Sequence, residues 1–326
     1  MESGPTLHRL ESLSPRAFQH PADRAASAAL GQVPGLETAV RKLTELRYER
    51  ALRQSLLANS IQIGPRQLPE IWEVYERALR TLDMPETYDL YVSQWPLANA
   101  AAIGTGKPVI VLSSQLATLL GPDELWSTLG HELGHILCGH VTNQTALILL
   151  TQLSQSAPIV PGLPLRAVRA ALLEWSRAAE LSADRAGALA CRDPLASCRA
   201  LMVLAAGLPA DRLDLDAFLA QAAAYEDWDS AWDRTLRLLA QRQQTHPYSV
   251  RRVAALMEWV RSGEYDRILG GQYRRRGADD LRGDAGAAYE HYVNRFWAIV
   301  QEAGRGTDEF REKIGDWLQR RPPDED

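Results

Sequence analysis

His131 and His135 stand four residues apart, with Glu132 directly after the first. On a helix, positions i and i+4 share a face one turn apart, so both imidazoles can reach a single metal ion. Glu132 projects beside them, near enough to hydrogen-bond a water at that metal without being a ligand. Zinc-assisted hydrolysis needs those parts: nitrogen ligands, a coordination position kept open, and a base that takes the proton of water. The expectation is one Zn2+ per chain, with Glu132 as the base.

Two histidines leave a tetrahedral zinc one protein ligand short when a corner is kept for water. Glu180, in Glu180-Leu181-Ser182-Ala183-Asp184, is the candidate third ligand. Asp184 lies one turn further along the same face. A carboxylate there can accept the outer N–H of a ligand histidine, fixing its tautomer and raising its basicity. The alternative for this pair is a solvated acidic face in which Glu180 and Asp184 pair with Arg177 and Arg185. Cys138, three residues past His135, is set aside because the ligand set is complete without it. His8, His20, His140 and His291 read as surface or structural. His140 falls near the end of the metal helix, where a cationic group suits the helix dipole.

These residues need two helices to hold them. Gly121-Pro122-Asp123-Glu124 opens one, with proline and acids in its first turn. Leu125, Trp126, Leu129, Leu133, Ile136 and Leu137 follow at helical spacing. A second helix, rich in Ala, Leu and Arg and without internal proline, is expected from about Leu165 to Ala190, returning antiparallel to the first. Ahead of them, strands are expected over 88–94 and 108–113, with turns marked by Pro96, Asn99 and Gly104-Thr105-Gly106. Further upstream, Gly35 to Asn59 reads as a long charged helix and Ile61-Gln62-Ile63-Gly64 as a short strand. Gln67 to Leu82 reads as an amphipathic helix with Leu68, Ile71, Trp72, Tyr75, Leu79 and Leu82 on one stripe. Leu147 to Leu165 reads as a surface excursion between the metal helices. It is taken as an ordinary apolar packing element, the alternative being a lid that touches a partner or a membrane. Helices are expected to dominate from 114 onward, closing with 287–302 and 308–319 and a solvated tail over 320–326.

His131-Glu132-x-x-His135 followed by Glu180-x-x-x-Asp184 resembles the HtpX-type gluzincins, the zinc metallopeptidase family that includes the CAAX prenyl endopeptidases and the OMA-type proteases. Upstream, Leu90-Tyr91-Val92, Asn99-Ala100-Ala101-Ala102 and Pro108-Val109-Ile110-Val111-Leu112-Ser113 resemble the family's strand pair before the metal helix. Downstream, Thr245-His246-Pro247-Tyr248 with Arg252-Val253 resembles its Ser/Thr-His-Pro segment, followed by an arginine. Together these stretches span about residues 70–260. Phe18-Gln19-His20-Pro21-x-Asp23 is similar to the opening of soluble bacterial members. The chain departs from many relatives in one respect. Its best apolar run, Thr145 to Thr151, is too short for the membrane helices they carry near this position.

The resemblance implies an α+β, mostly helical zincin-type fold with a small β-sheet preceding the metal-binding helix. It implies a zinc endopeptidase acting on extended or unfolded polypeptide, with protein quality control as one setting. An exposed edge strand beside the metal, at Asn99, Ala100 and Ala101, would pair with a peptide through backbone hydrogen bonds; a plain hairpin without substrate contact is the alternative. The oxyanion of amide hydrolysis needs a further positive or hydrogen-bonding group, and His246 or Arg252 would supply it. Arg252 would otherwise bind a carboxylate and brace the site. His246 would otherwise fill the open metal position and keep the enzyme latent, or stand at a helix N-terminus without metal contact. A competing reading from another class is a latent or chaperone-like protein-binding module with a zinc site. Glu132 discriminates, because a structural site closes its fourth corner and has no use for a base.

The bulk properties bound the remaining classes. The 326 residues are 46% hydrophobic and 24% charged, with a net charge of −5, which argues against a nucleic-acid partner. Met1 to Leu30 lacks the apolar core of a secretory signal, and no transmembrane segment is visible, so membrane contact would be peripheral. Three cysteines without such a signal fit a reducing, cytoplasmic location. Three units are expected: an N-terminal arm and helix over 1–66, the metallopeptidase domain over 67–265, and a helical extension with a disordered tail over 266–326. The sequence is silent on oligomeric state.

Overall fold

The computed structural model describes residues 9–33, 36, 40, 48–95, 98–156, 165–227, 248–277, 293 and 297. His8, His246, His291 and the helices expected over 287–302 and 308–319 lie outside the described residues, as does most of 35–47. After a short N-terminal stretch comes α1 (Pro21–Leu30), started by Pro21 and by His20, whose Nδ1 accepts the Ala22 N–H at 3.0 Å. Then follow α2 (Tyr48–Asn59), β1 (Ile61–Gln62), α3 (Pro69–Thr81), β2 (Asp89–Ser93), β3 (Ala100–Ile103) and β4 (Val109–Ser113). The rest is helical: α4 (Ser114–Leu119), α5 (Pro122–Leu137), α6 (Val141–Ser156), α7 (Leu165–Cys191), α8 (Pro194–Ala206), α9 (Leu215–Asp227), α10 (Ser249–Arg261) and α11 (Glu264–Leu269). The expected α+β, mostly helical class holds.

The four strands form one sheet in the order β1-β2-β4-β3. The strand pair expected over 88–94 and 108–113 is not a hairpin. β2 and β4 run parallel, in register from Asp89↔Val109 to Ser93↔Ser113, and the chain between them forms a third strand. β3 returns antiparallel to β4, pairing Ala100 with Leu112 and Ile103 with Val109, and lies at the sheet's edge. Alanine is a poor strand former, which hides this element from a propensity reading. Two outside elements hold its turn. Glu49 of α2 accepts hydrogen bonds from the Gly106 and Lys107 N–H groups at 2.9 and 2.8 Å. Thr145 of α6 bonds Gly104 at both N–H and C=O, each at 2.9 Å.

α5 is buried on nearly all sides and packs most extensively against α7. The seam is made of small residues. A Cβ on Gly134 would come within 2.5 Å of Ala186 Cβ, and one on Gly130 within 2.3 Å of Ala190 Cβ. The two helix backbones therefore approach more closely than ordinary side chains permit. α6 packs on α7, in a cluster that α1 shares, through buried Ala146, Leu147, Leu149 and Leu150. Over its described part, the stretch read as a surface excursion is thus a packing element.

Contacts cross both expected unit boundaries. Leu10, Leu13 and Phe18 belong to the same core as α3, α5, α8 and α10. Ser14 N–H donates to Arg274 C=O at 3.1 Å, and Arg276 N–H to Ser12 C=O at 2.6 Å. Among the described residues no helix is long and apolar enough to cross a membrane.

Candidate metal centre

α5 ends as its apolar stripe meets the seam with α7, and there it presents His131 and His135 toward Glu180. The ring atoms converge. His131 Nε2 and His135 Nε2 lie 3.1 Å apart, His131 Nε2 and Glu180 Oε2 3.5 Å, and His135 Nε2 and Glu180 Oε1 3.4 Å. A tetrahedral ion with bonds of about 2.0–2.1 Å has ligand–ligand edges of roughly 3.3 Å. The three separations fit that edge, and two imidazoles with one carboxylate are a donor set that zinc accepts. The residues present fit the expected group. Glu180 is 1% exposed, a place that suits a metal ligand and not a solvated acid.

The outer ring nitrogens are also engaged. His131 Nδ1 faces Asp184 Oδ1 at 3.1 Å. Arg252 grips that carboxylate with both arms of its fork, Nε to Oδ2 at 2.8 Å and Nη2 to Oδ1 at 2.6 Å, and reaches Glu180 Oε2 with Nη1 at 3.1 Å. Burial would raise the Asp184 carboxyl, but Arg252 and then His131 hold it below the usual carboxylate range. Burial pushes His135 down to about 4. It lowers His131 as well, yet Asp184 and Glu180 raise that ring to about 10. A metal displaces the proton that these carboxylates otherwise favour on the His131 ring.

Arg177 and Arg185 do not pair with the acidic residues of this face. Arg177 bridges to Glu174, while Arg185 lies over the Trp259 ring at 5.0 Å and donates to Phe18 C=O at 3.2 Å. Glu132 is 4% exposed, and its Oε2 accepts the Ala102 N–H of β3 at 2.7 Å. The base and the edge strand are thus tied directly together. The three cysteines are free thiols.

Along β3, Asn99 C=O accepts from Ser113 N–H at 2.8 Å, so by ladder alternation Asn99 and Ala101 turn their backbone toward β4. Ala100 and Ala102 turn theirs outward. Of the three substrate residues expected, Ala100 alone offers its backbone to the open edge. Ala102, the last alanine of the same stretch, shares that orientation. The side chains of Asn99, Ala101 and Ile103 line a cavity of about 350 Å³, together with Leu52, Trp95 and Ile148.

His20 is a half-buried helix cap, pushed down to about 3 by burial and then by Arg185. One histidine differs from expectation. His140 is not a surface cation at a helix end. It is 1% exposed, with Nδ1 3.0 Å from His135 Nδ1 and Nε2 3.0 Å from Asp23 Oδ2. The signal was weak, because neither Asp23 nor His140 stands at metal-ligand spacing from the pair.

Comparison with known proteins places this geometry. A family model described as Peptidase family M48 matches residues 65–260. Plastoglobule-localized metallopeptidase 48, chloroplastic, of Arabidopsis thaliana is 36% identical over 259 residues, covering 77% of this chain and 74% of that protein. No solved structure matches significantly.

Proposed function

This chain belongs to peptidase family M48 and is a metalloprotease; within that family we propose that it is a zinc-dependent endopeptidase acting on extended polypeptide. The observation that carries this reading is the convergence of His131, His135 and Glu180 at tetrahedral-edge separations, with Glu132 on the same helix.

His131, His135 and Glu180 would hold the zinc. When bound, it supplies Lewis-acid polarisation of the scissile carbonyl and lowers the pKa of water. Glu132 takes the proton of the attacking water and passes it to the leaving nitrogen. Its contact with Ala102 N–H fixes the carboxylate against the edge strand, so the base is aligned with whatever pairs there. Asp184 holds the His131 tautomer, and Arg252 braces Asp184 and Glu180. We assign Arg252 this bracing role in preference to the oxyanion role because its fork is turned onto the two carboxylates. His246 is kept as a proposed oxyanion group or a latency device.

A peptide would add to the open edge of β3 through the backbone of Ala100 and the Ala102 C=O. Its alternate side chains would fall on the face of Asn99 and Ala101, where the 350 Å³ cavity admits an apolar group of moderate size. Unfolded protein presents such strands, which supports a quality-control setting. The name of the Arabidopsis relative places that protein at plastoglobules; for this chain a cytoplasmic location, with peripheral lipid contact as the alternative, is the proposal.

The test is cleavage mapping by mass spectrometry on a mixed peptide pool, comparing zinc-loaded protein with a Glu132→Gln variant. Internal cuts present with the first and absent with the second support the reading. With zinc bound at one per chain, identical peptide patterns would overturn the active endopeptidase in favour of a latent site or a binding module.

A further inference from the structure

His140 reaches the metal centre because Gly139, with φ +72°, turns the chain back at the end of α5. Its ring then lies between His135 and the N-terminal arm, edge-on to Trp175 at 5.4 Å. Beyond it, Asp23 is fully buried, and its position is fixed independently of His140. Oδ2 accepts from Ser182 Oγ at 2.6 Å and from Gln19 Nε2 at 2.9 Å, and Oδ1 from Ser27 Oγ at 3.0 Å.

The proton positions follow from the two ends of the chain. His135 Nε2 points into the ligand cluster, so its proton sits on Nδ1 and is donated to His140 Nδ1. The His140 proton then sits on Nε2 and is donated to Asp23 Oδ2, which as a carboxylate can only accept. Gln144 Nε2 also lies near His135, at 3.0 Å from Nδ1 and 3.3 Å from Nε2. Being nearly equidistant from both nitrogens, it is in line with neither N–H axis and does not replace His140. Cys138 offers a ligand atom within 4.8 Å of those of Asp23 and His140, but burial keeps its thiol neutral.

We propose that Asp23 and His140 are positioning residues of the metal centre, acting through His135 as a hydrogen-bonded chain from the N-terminal arm. The inference rests on the reading of His131, His135 and Glu180 as metal ligands. His131 is oriented by Asp184 directly, within the part of the chain that matches the family model. His135 is oriented by a carboxylate one residue removed, and Asp23 precedes that part. Partners of this kind fix ring orientation and ligand basicity, and losing one weakens metal binding by about 10- to 100-fold.

The experiment uses the full chain with Asp23→Asn, His140→Phe and the double variant. Phenylalanine keeps the ring that packs on Trp175 and removes both nitrogens. The readouts are zinc affinity by chelator competition, metal ions per chain, the visible absorption of the cobalt(II)-substituted protein, and circular dichroism. His140→Phe is expected to fold, to bind zinc about 10- to 100-fold more weakly and to shift the cobalt bands. Asp23→Asn is expected to move both readouts in the same direction by less, and the double variant to be no weaker than His140→Phe. Unchanged affinity and cobalt bands in both single variants overturn the proposal, and so do losses that add in the double variant. Two ions per wild-type chain falling to one in His140→Phe also overturns it, since Asp23, Cys138 and His140 would then be a second metal site. If His140→Phe does not fold, the near-isosteric Asp23→Asn decides alone. Failure of the ligand reading shows in the wild-type protein as absent metal binding, whereas failure of this inference shows only in the variants.

Discussion

Glu132 and Arg252 illustrate how single side chains divide the work at this centre. Glu132→Gln keeps volume and the Ala102 hydrogen bond but removes the group that accepts a proton. The expected outcome is a fall in kcat of about 10²- to 10⁴-fold, with zinc affinity and melting temperature unchanged; steady-state kinetics beside chelator competition separates the two. Arg252 has another task, because it neutralises two buried carboxylates. Arg252→Met leaves Asp184 buried beside a carboxylate neighbour without its fork, and breaking a buried pair in this way costs about 3–5 kcal/mol. Urea denaturation of the metal-free protein reads that loss, and Arg252→Lys should fall between, keeping the charge without the planar fork. The proposed ligand residues were legible because helical spacing is local: His131 with His135, and Glu180 with Asp184, each lie one turn apart. The Asp23–His140 contact was not, since it joins residues from distant parts of the chain and neither type is distinctive alone.

The helices and strands matter through how closely they approach. α5 and α7 can bring Glu180 against two histidines only because Gly130 and Gly134 face Ala190 and Ala186. Gly134→Ala puts a methyl 2.5 Å from Ala186 Cβ, and neither partner is a flexible side chain that can yield. Overpacking of this kind costs about 1–3 kcal/mol. It should also weaken zinc binding and alter the cobalt spectrum although no ligand is touched. A lowered melting temperature with an unaltered metal site would show that the seam does not set ligand spacing. The edge strand makes a parallel case. Ala101→Leu projects into the cavity beside β3 and is expected to lower kcat/KM for peptides with large side chains while sparing those with small ones. A uniform loss across the peptide pool would place the cavity outside the substrate path. The metal helix was readable from its capping residues and apolar spacing, and α7 from a helix-favouring composition without internal proline. β3 was expected through the family resemblance alone, because three alanines carry no strand propensity, and Glu49 and Thr145 hold its turn from outside the sheet.

At the level of the whole molecule, the described residues 10–18 and 268–273 share one core with the peptidase region, across the boundaries expected at 66 and 265. Leu13, paired with Arg275, and Phe18, buried against the same cluster as Trp259, make the ends of the described chain part of one unit. Binding at the centre should therefore stabilise everything together. With free zinc near 1,000 times its Kd, the metal adds about 4.1 kcal/mol. At roughly 2–4 °C per kcal/mol for a chain of this order, chelation should lower the melting temperature by about 10 °C in one transition. Acid should act on the same unit. Burial would raise Asp23 and Asp184, but His140, Ser182 and Gln19 hold the first below the usual carboxylate range and Arg252 and His131 the second. Below the unfolded value of about 3.9, the unfolded chain takes up protons that the folded chain refuses. The stability these groups contribute is thus fully present above that pH and is lost as the pH falls toward their folded values. Urea titrations of the metal-free protein from pH 6 to 3 should show stability falling throughout, because His20 and His135 are held neutral by burial below the unfolded value of 6.5, with a steeper loss below about pH 4 as the carboxylates join. Asp23→Asn, less stable near neutrality, should lose less over that interval, and equal slopes would mean that Asp23 does not couple the arm's docking to pH.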